Sequence, residues 1–212
     1  EEISKNKFPR TDKGKFADGD STRPGHNYWE VYDQYFLPFR DKEINFIEFG
    51  FGAHGDCLRT FAEYFSNAKN IVGADHNRSF VDDLIFEDER IKRFWVNQHE
   101  VKTIDDLKAS VSDEGIEFFD IVIDDGNHST QSITNCFSKF FPLVRDGGIY
   151  VIEDSYDLVE KTLQGQLNIL SMLQVCANED ELEDWKTAVE DVQSVHTYRG
   201  LVFIKKGKNV TR

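Results

Sequence analysis

The chain is poor in cysteine, poor in positive charge and without a long apolar run, and each shortage removes a class of protein. Its cysteines, Cys57, Cys136 and Cys176, are odd in number and far apart, so they suggest neither a disulfide framework nor the spacing of a metal knuckle. Reduced thiols in a cytoplasmic protein are expected. Against 39 acidic residues stand only 25 basic ones, a formal charge of −14, which opposes binding to nucleic acid phosphates or an anionic membrane. No stretch of about eighteen apolar residues predicts membrane insertion, and no signal-peptide pattern opens the chain. What is present is 212 residues with 39% hydrophobic and 13% aromatic content, enough for one domain with a substantial core. A small ligand or a cation-assisted site fits this balance.

The first forty residues begin polar and are broken by Gly14, Gly19, Pro24 and Gly25, which reads as an arm. Tyr28, Val31, Tyr32, Tyr35 and Phe36 then recur at helical spacing before Pro38, predicting an amphipathic helix that packs on the main body. From residue 44 strand-like and helix-like segments alternate. Strands are expected at 44–49, 70–75, 91–96, 119–124 and 148–153. Helices are expected at 56–65 with Asp56 as its own cap, 79–86 with Ser79 as cap, 103–110 with Thr103 as cap, and 129–143. Such alternation argues for a doubly wound, mainly parallel α/β sheet with helices on both faces. Two further helices, 158–175 and one through Trp185 and Val189, precede two strand-like runs, VQSVHTY and GLVFIKK, joined by little more than Arg199 and Gly200. So short a connection makes an antiparallel hairpin. No internal repeat or low-complexity tract is present.

Two features carry chemistry. Gly50, Gly52 and Gly55 satisfy G-x-G-x-x-G after the first strand, and Asp75 ends the second. In dinucleotide-binding folds such glycines admit a pyrophosphate, and the acid holds a ribose hydroxyl. In class I methyltransferases a similar turn, preceded by an acid such as Glu48, makes room for the methionine part of S-adenosylmethionine. The glycines alone do not choose between the two. The second feature runs from Phe119 to Asp154: two neighbouring parallel strands end in Asp124-Asp125 and in Glu153-Asp154, at the sheet edge where open α/β sheets bind ligands. Carboxylates gathered there repel one another unless a cation or proton sits among them. Asp125, Glu153 and Asp154 are hard oxygen ligands suited to Mg²⁺ and poor neighbours for a pyrophosphate. A nicotinamide enzyme also needs more chain for its substrate than follows the sheet. His128 shares a turn with Asp125, so it can face the same substrate oxygen and act as base. The other histidines take the default structural reading.

TDKG at Thr11 to Gly14, the His26-Asn27-Tyr28 run, EFGFGAHG, GADHN, IVIDDGNH and GGIYVIED together resemble, in order and spacing, the metal-dependent sugar O-methyltransferases of macrolide biosynthesis, the mycinamicin and macrocin O-methyltransferase family. Related enzymes modify bacterial surface polysaccharides. The resemblance covers Thr11 to about Tyr156. It implies a Rossmann-like class I methyltransferase with a mainly parallel seven-stranded sheet ending in an antiparallel hairpin. The implied division is an arm and helix over the active site at 1–40 and the methyltransferase domain at 41–212. It implies S-adenosylmethionine and Mg²⁺ as cofactors, with Asp125, Glu153 and Asp154 on the metal and His128 as base. Glu48, Gly50, Gly52, Gly55 and Asp75 would hold the cofactor, with Asp124 as a supporting strand-end acid. Near the adenine the family often shows Asp-Gln, where this chain has Asn97-Gln98. Lys13, His26 and Tyr28 would shape the acceptor pocket. The expected acceptor is a sugar or other small-molecule hydroxyl. The alternatives are a phosphate-like or phosphoramidate group on a capsular sugar, a small diol, or, in another class, an NAD-dependent oxidoreductase or a cofactor-binding protein without activity. The oligomeric state is left open between monomer and homo-oligomer.

Overall fold

Strands that are apolar at nearly every position, such as FDIVID at 119–124, bury both faces and so belong in the middle of a parallel sheet covered by helices. The computed structural model describes residues 28–155 and 182–208 and places them so. Seven strands form one sheet, β1 (Asn45–Phe49), β2 (Asn70–Asp75), β3 (Ile91–Trp95), β4 (Phe119–Asp124), β5 (Val144–Glu153), β6 (Val192–Tyr198) and β7 (Leu201–Lys206), in the order β3-β2-β1-β4-β5-β7-β6. The first five run parallel, and β7 is antiparallel to both β5 and β6. This is the Rossmann-like class I methyltransferase arrangement with its terminal hairpin. From β1 the chain winds outward first through β2 and β3 and then through β4 and β5, so the order reverses between β1 and β4, where such sheets open a crevice.

The helices fall on two faces. Numbered in chain order among the described residues, α1 (Trp29–Phe36), α2 (Asp56–Tyr64) and α3 (Arg78–Asp83) cover one; α4 (Val101–Asp113), α5 (Thr130–Phe140) and α6 (Leu182–Glu190) cover the other. The period of two along each strand divides the core accordingly. Phe46, Ile71, Ile121, Ile149 and Phe203 meet the α1 layer, while Ile47, Val72, Val122, Tyr150 and Val202 meet the α5 layer. On α1 the buried residues are Trp29, Tyr32 and Phe36. Trp29 belongs to this face although the helical pattern was read through Tyr28 and Val31, because the ring of Phe61 on α2 lies 5.7 Å from it.

Three predicted caps are replaced. Gly55, left-handed at φ +63, takes the N-cap of α2 and leaves Asp56 inside the first turn. Asn77 caps α3 by accepting from the Ser79 amide at 3.0 Å, the Asx turn outcompeting Ser79 two residues later. Helix α4 starts at Val101, before Thr103, whose hydroxyl instead bonds the Asn97 backbone at both its amide and its carbonyl. β5 begins four residues earlier than expected, pairing Val144 with Phe119 before the register shifts. The long predicted helix at 158–175, with Lys13, His26 and Cys176, lies outside the described residues. Among those described, no helix is long and apolar enough to cross a membrane.

Two local devices hold the sheet edge in shape. The Arg90 guanidinium chelates Asp88 and donates to the carbonyls of Ala62, Phe65 and Ser66, tying the end of α2 to β3. Gly50, at φ +80, follows β1 so closely under the next loop that a Cβ there would stand 2.1 Å from the Asp125 carbonyl oxygen; Gly52, at φ +73, has open space around it. Gly50→Ala is therefore expected to cost clearly more than the roughly 1–2 kcal/mol of left-handed strain alone, and Gly52→Ala about that strain, as read by urea unfolding. Arg90→Met removes hydrogen bonds to partly buried and exposed carbonyls and is expected to cost about 0.5–1.5 kcal/mol. The Arg90 hydrogen bonds hold the Asp88 carboxyl below its usual value. A depressed folded value stabilises above the unfolded pKa of about 4 and is lost as acid protonates the group. Wild-type stability should thus fall more steeply below pH 4 than that of Arg90→Met.

Candidate active site

The pleat sorts the strand-end acids. Ile121 and Ile123 face the α1 layer and Val122 the α5 layer, so two residues beyond Ile123 the chain returns Asp125 to the α1 side and leaves Asp124 on the other. Glu48 shares the side of Phe46, and Glu153 that of Ile149 and Val151, for the same reason. Glu48, Asp125 and Glu153 consequently meet, each offering an oxygen within 4.8 Å of the others. Asp154 follows in a left-handed conformation, φ +49, one that Asp adopts more readily than most residues. It forms a second group with Asp125 and His128, whose ligand atoms also lie within 4.8 Å of one another. Asp125 belongs to both.

Glu48 and Glu153 are 0% and 2% exposed. Buried carboxylates so close disfavour one another's ionised form, and a set of carboxylate oxygens with one imidazole at its margin suits a hard divalent cation such as Mg²⁺. The residues therefore fit the implied metal. Glu48, expected beside the cofactor, also lies among the acids. Two hydroxyls, from α1 and from its N-cap residue, reach the cluster: Tyr28, the N-cap, donates to Asp154 at 2.7 Å, and Tyr32 donates to Glu153 in a short hydrogen bond.

Asp124 faces the opposite way. It accepts from the Gln98 amide at 2.7 Å and from the Tyr150 hydroxyl at 3.2 Å. Burial pushes its carboxyl up to about 7, against the pull of those two hydrogen bonds. The same burial raises the Cys136 thiol and the Tyr150 phenol. Gln98 also accepts from the Asn127 amide at 2.6 Å, and Asn127 accepts from the Ser129 amide at 3.1 Å just before α5. Together these bonds support the loop that presents His128 to solvent.

On the other flank of Gly50 a cavity of about 160 Å³ opens among Gly50, Asp75, Asn97, Gln98, Gly126 and Asn127. The Asp75 carboxylate at its wall accepts from the amides of Gly52 at 3.2 Å and Asn77 at 2.8 Å. Of the residues assigned to the cofactor, Gly50, Asp75, Asn97 and Gln98 thus converge on one crevice, and Gly52 braces it. Gly55 sits apart, where a Cβ would stand 2.4 Å from the Phe86 ring. A larger cavity of about 560 Å³ lies elsewhere, beside Arg59, Glu63, Phe86 and Asp88, and includes none of the clustered acids. His76 and His99 line the smaller crevice although sequence reasoning left them structural; their places just after β2 and β3 were the available signal. Tyr32 carries no functional signal in the amphipathic pattern, yet its spacing of four from Tyr28 puts two phenols on one helix face.

No family model matches the chain. It is 28% identical over 206 residues to mycinamicin VI 2''-O-methyltransferase of Micromonospora griseorubida, covering 87% of this chain and 49% of the relative. Against demethylmacrocin O-methyltransferase of Streptomyces fradiae it is 29% identical over 205 residues, with coverages of 87% and 49%. Against 8-demethyl-8-alpha-L-rhamnosyl tetracenomycin-C 2'-O-methyltransferase of Streptomyces olivaceus it is 31% identical over 135 residues, with coverages of 61% and 33%. The fold superposes on the MycE methyltransferase of the mycinamycin pathway in complex with Mg and SAH, with a TM-score of 0.65, 27% identity, and coverage of 88% of this chain and 51% of that one. A complex of MycE that also contains mycinamycin VI gives 0.64 and 26%, with coverages of 88% and 51%. The chain thus spans about half the length or less of the relatives it matches. In sequence as well as in fold, it is similar to the sugar O-methyltransferases of the class I methyltransferase architecture.

Proposed function

We propose that the chain transfers the methyl group of S-adenosylmethionine to a hydroxyl of a sugar, or of a sugar-containing natural product or polysaccharide precursor, with Mg²⁺ as helper. The observation that carries this reading is the juxtaposition of two sites on one sheet edge: the crevice at Gly50 and Asp75, and the acid cluster centred on Asp125. The relatives named as O-methyltransferases of mycinamicin VI, demethylmacrocin and a rhamnosyl tetracenomycin support the acceptor class.

In this reading Asp75 holds the cofactor ribose, and Gly50 keeps a side chain away from it. Asn97 and Gln98 line the crevice, with Gln98 and Asp124 acting from beneath the loop. Asp125, Glu153 and Asp154 hold the cation, with Glu48 beside them. When bound, Mg²⁺ supplies charge that lowers the pKa of an acceptor hydroxyl and offsets the carboxylates. His128, at the exposed margin of the cluster, takes the hydroxyl proton. Because transfer is a single displacement, the protein contributes mainly alignment of acceptor oxygen and methyl carbon. The resemblance assigns residues 1–40, with Lys13, His26 and Tyr28, to the acceptor side and 41–212 to the methyltransferase domain. The net charge of −14 supports a small-molecule or carbohydrate partner over nucleic acid, and three cysteines, odd in number and far apart, are compatible with a cytoplasmic enzyme. A nicotinamide cofactor has less support, since its pyrophosphate would lie close to the acids.

Calorimetry is expected to show binding of S-adenosylhomocysteine and none of NAD; the reverse contradicts the reading. In a methyl-transfer assay on a sugar panel, His128→Ala should lower turnover by about 10²–10⁴-fold with cofactor affinity unchanged. EDTA should abolish turnover and added Mg²⁺ restore it, so full activity in EDTA contradicts the metal's role.

A further inference from the structure

Helix α1 does more than cover the sheet. Tyr28 and Tyr32 stand one turn apart, so their side chains leave the same face, and their hydroxyls donate to Asp154 and Glu153, residues adjacent in sequence at the end of β5. The Tyr32 ring has little freedom: it stacks on Phe36 at 4.8 Å and meets Phe61 and Phe203 edge-on at 6.1 and 5.8 Å. Tyr28 is buried, 4% exposed, and packs edge-on against Tyr32 at 6.5 Å. A phenol fixed by packing and donating to one carboxylate oxygen sets the rotation of that carboxylate, as outer-shell hydrogen bonds orient metal ligands.

We infer that Tyr28 and Tyr32 are positioning residues for the cation site, and that α1 is thereby one wall of that site, its docking linked to cation occupancy. The inference rests on the assignment of the acid cluster to a divalent cation. In this inference each tyrosine acts through the carboxylate it holds and not as a ligand itself. Linkage is reciprocal: if docked α1 tightens the cation site, a bound cation tightens the docking of α1.

The test uses the full chain and Mn²⁺ alone, counted by electron paramagnetic resonance. Tyr32→Phe and Tyr28→Phe keep the ring packing and remove only the hydroxyl. Tyr64→Phe is the control, since its hydroxyl donates to Asp33 at 2.8 Å, away from the cluster. Wild type should bind Mn²⁺ at one site that Asp125→Asn removes. Tyr32→Phe and Tyr28→Phe should each weaken that binding by about 10–100-fold, with Tyr64→Phe unchanged. Mn²⁺ should also slow amide exchange in residues 29–36 of wild type, and less so in the two variants. If Tyr32→Phe does not fold, Tyr28→Phe, at the mouth of the helix, carries the test. Folded variants that bind Mn²⁺ as tightly as wild type overturn the inference and leave the cluster assignment standing. Absence of Mn²⁺ binding by wild type overturns the cluster assignment itself.

Discussion

Mutual repulsion among carboxylates at one sheet edge is the constraint on which the rest of the structure turns. Glu48, Asp125 and Glu153 arrive on three adjacent strands, β1, β4 and β5, at positions of matching pleat parity. Packing alone has no use for such a set, since an apolar residue at any of these places would bury without the desolvation cost of a charge. The fold nevertheless closes around them. Gly50 gives up its side chain so that the Asp125 loop can pass, Gln98 clamps the same loop from below, and α1 and its N-cap residue send two phenols in from above. Each device fixes where an oxygen points, and a cation among those oxygens would turn repulsion into binding, as proposed above.

The same geometry explains why two acids side by side in sequence differ in character. Asp125 joins the cluster on the α1 side. Asp124, one residue earlier, turns to the α5 side, where Tyr150, Gln98 and Cys136 surround it and burial favours its neutral form. An Asp-Asp pair at a strand end is thus divided between a position suited to a ligand and one suited to a strut. The crevice at Asp75 lies next to this division, with Gly126 and Asn127 lining it from the loop that Asp125 begins. In the proposed reading, methyl donor and acceptor share that loop, and the two sites form one centre.

Much of this was legible in the sequence because it is carried by periodicity and by residues with few conformational options. Runs such as FDIVID and IYVIED declare buried strands, and Arg199-Gly200 leaves no room for anything but a hairpin turn. The Rossmann-like sheet follows from those segments alone. The caps were less readable, since Asp56, Ser79 and Thr103 are all good cappers and the winner depends on backbone that pattern does not specify, as with the left-handed Gly55. The early start of β5 was hidden by Arg145, Asp146 and two glycines, a polar bulge inside a strand. The gathering of Glu48 with the metal candidates needed strand order as well as strand identity. Tyr32 escaped notice because a tyrosine on an apolar helix face is ordinarily core, and only the tertiary approach of α1 to β5 reveals its hydroxyl as a partner of Glu153.

The relatives are named as O-methyltransferases, and the proposed assignment of parts rests on this chain's own geometry. That assignment is tested most directly by diffraction from crystals soaked with Mn²⁺ and S-adenosylhomocysteine, read by anomalous scattering. The account predicts a single strong peak about 2.0–2.3 Å from oxygens of Asp125, Glu153 and Asp154, with the thioether sulfur facing it from the Gly50 crevice. A peak at other residues, or none beside bound S-adenosylhomocysteine, would contradict it.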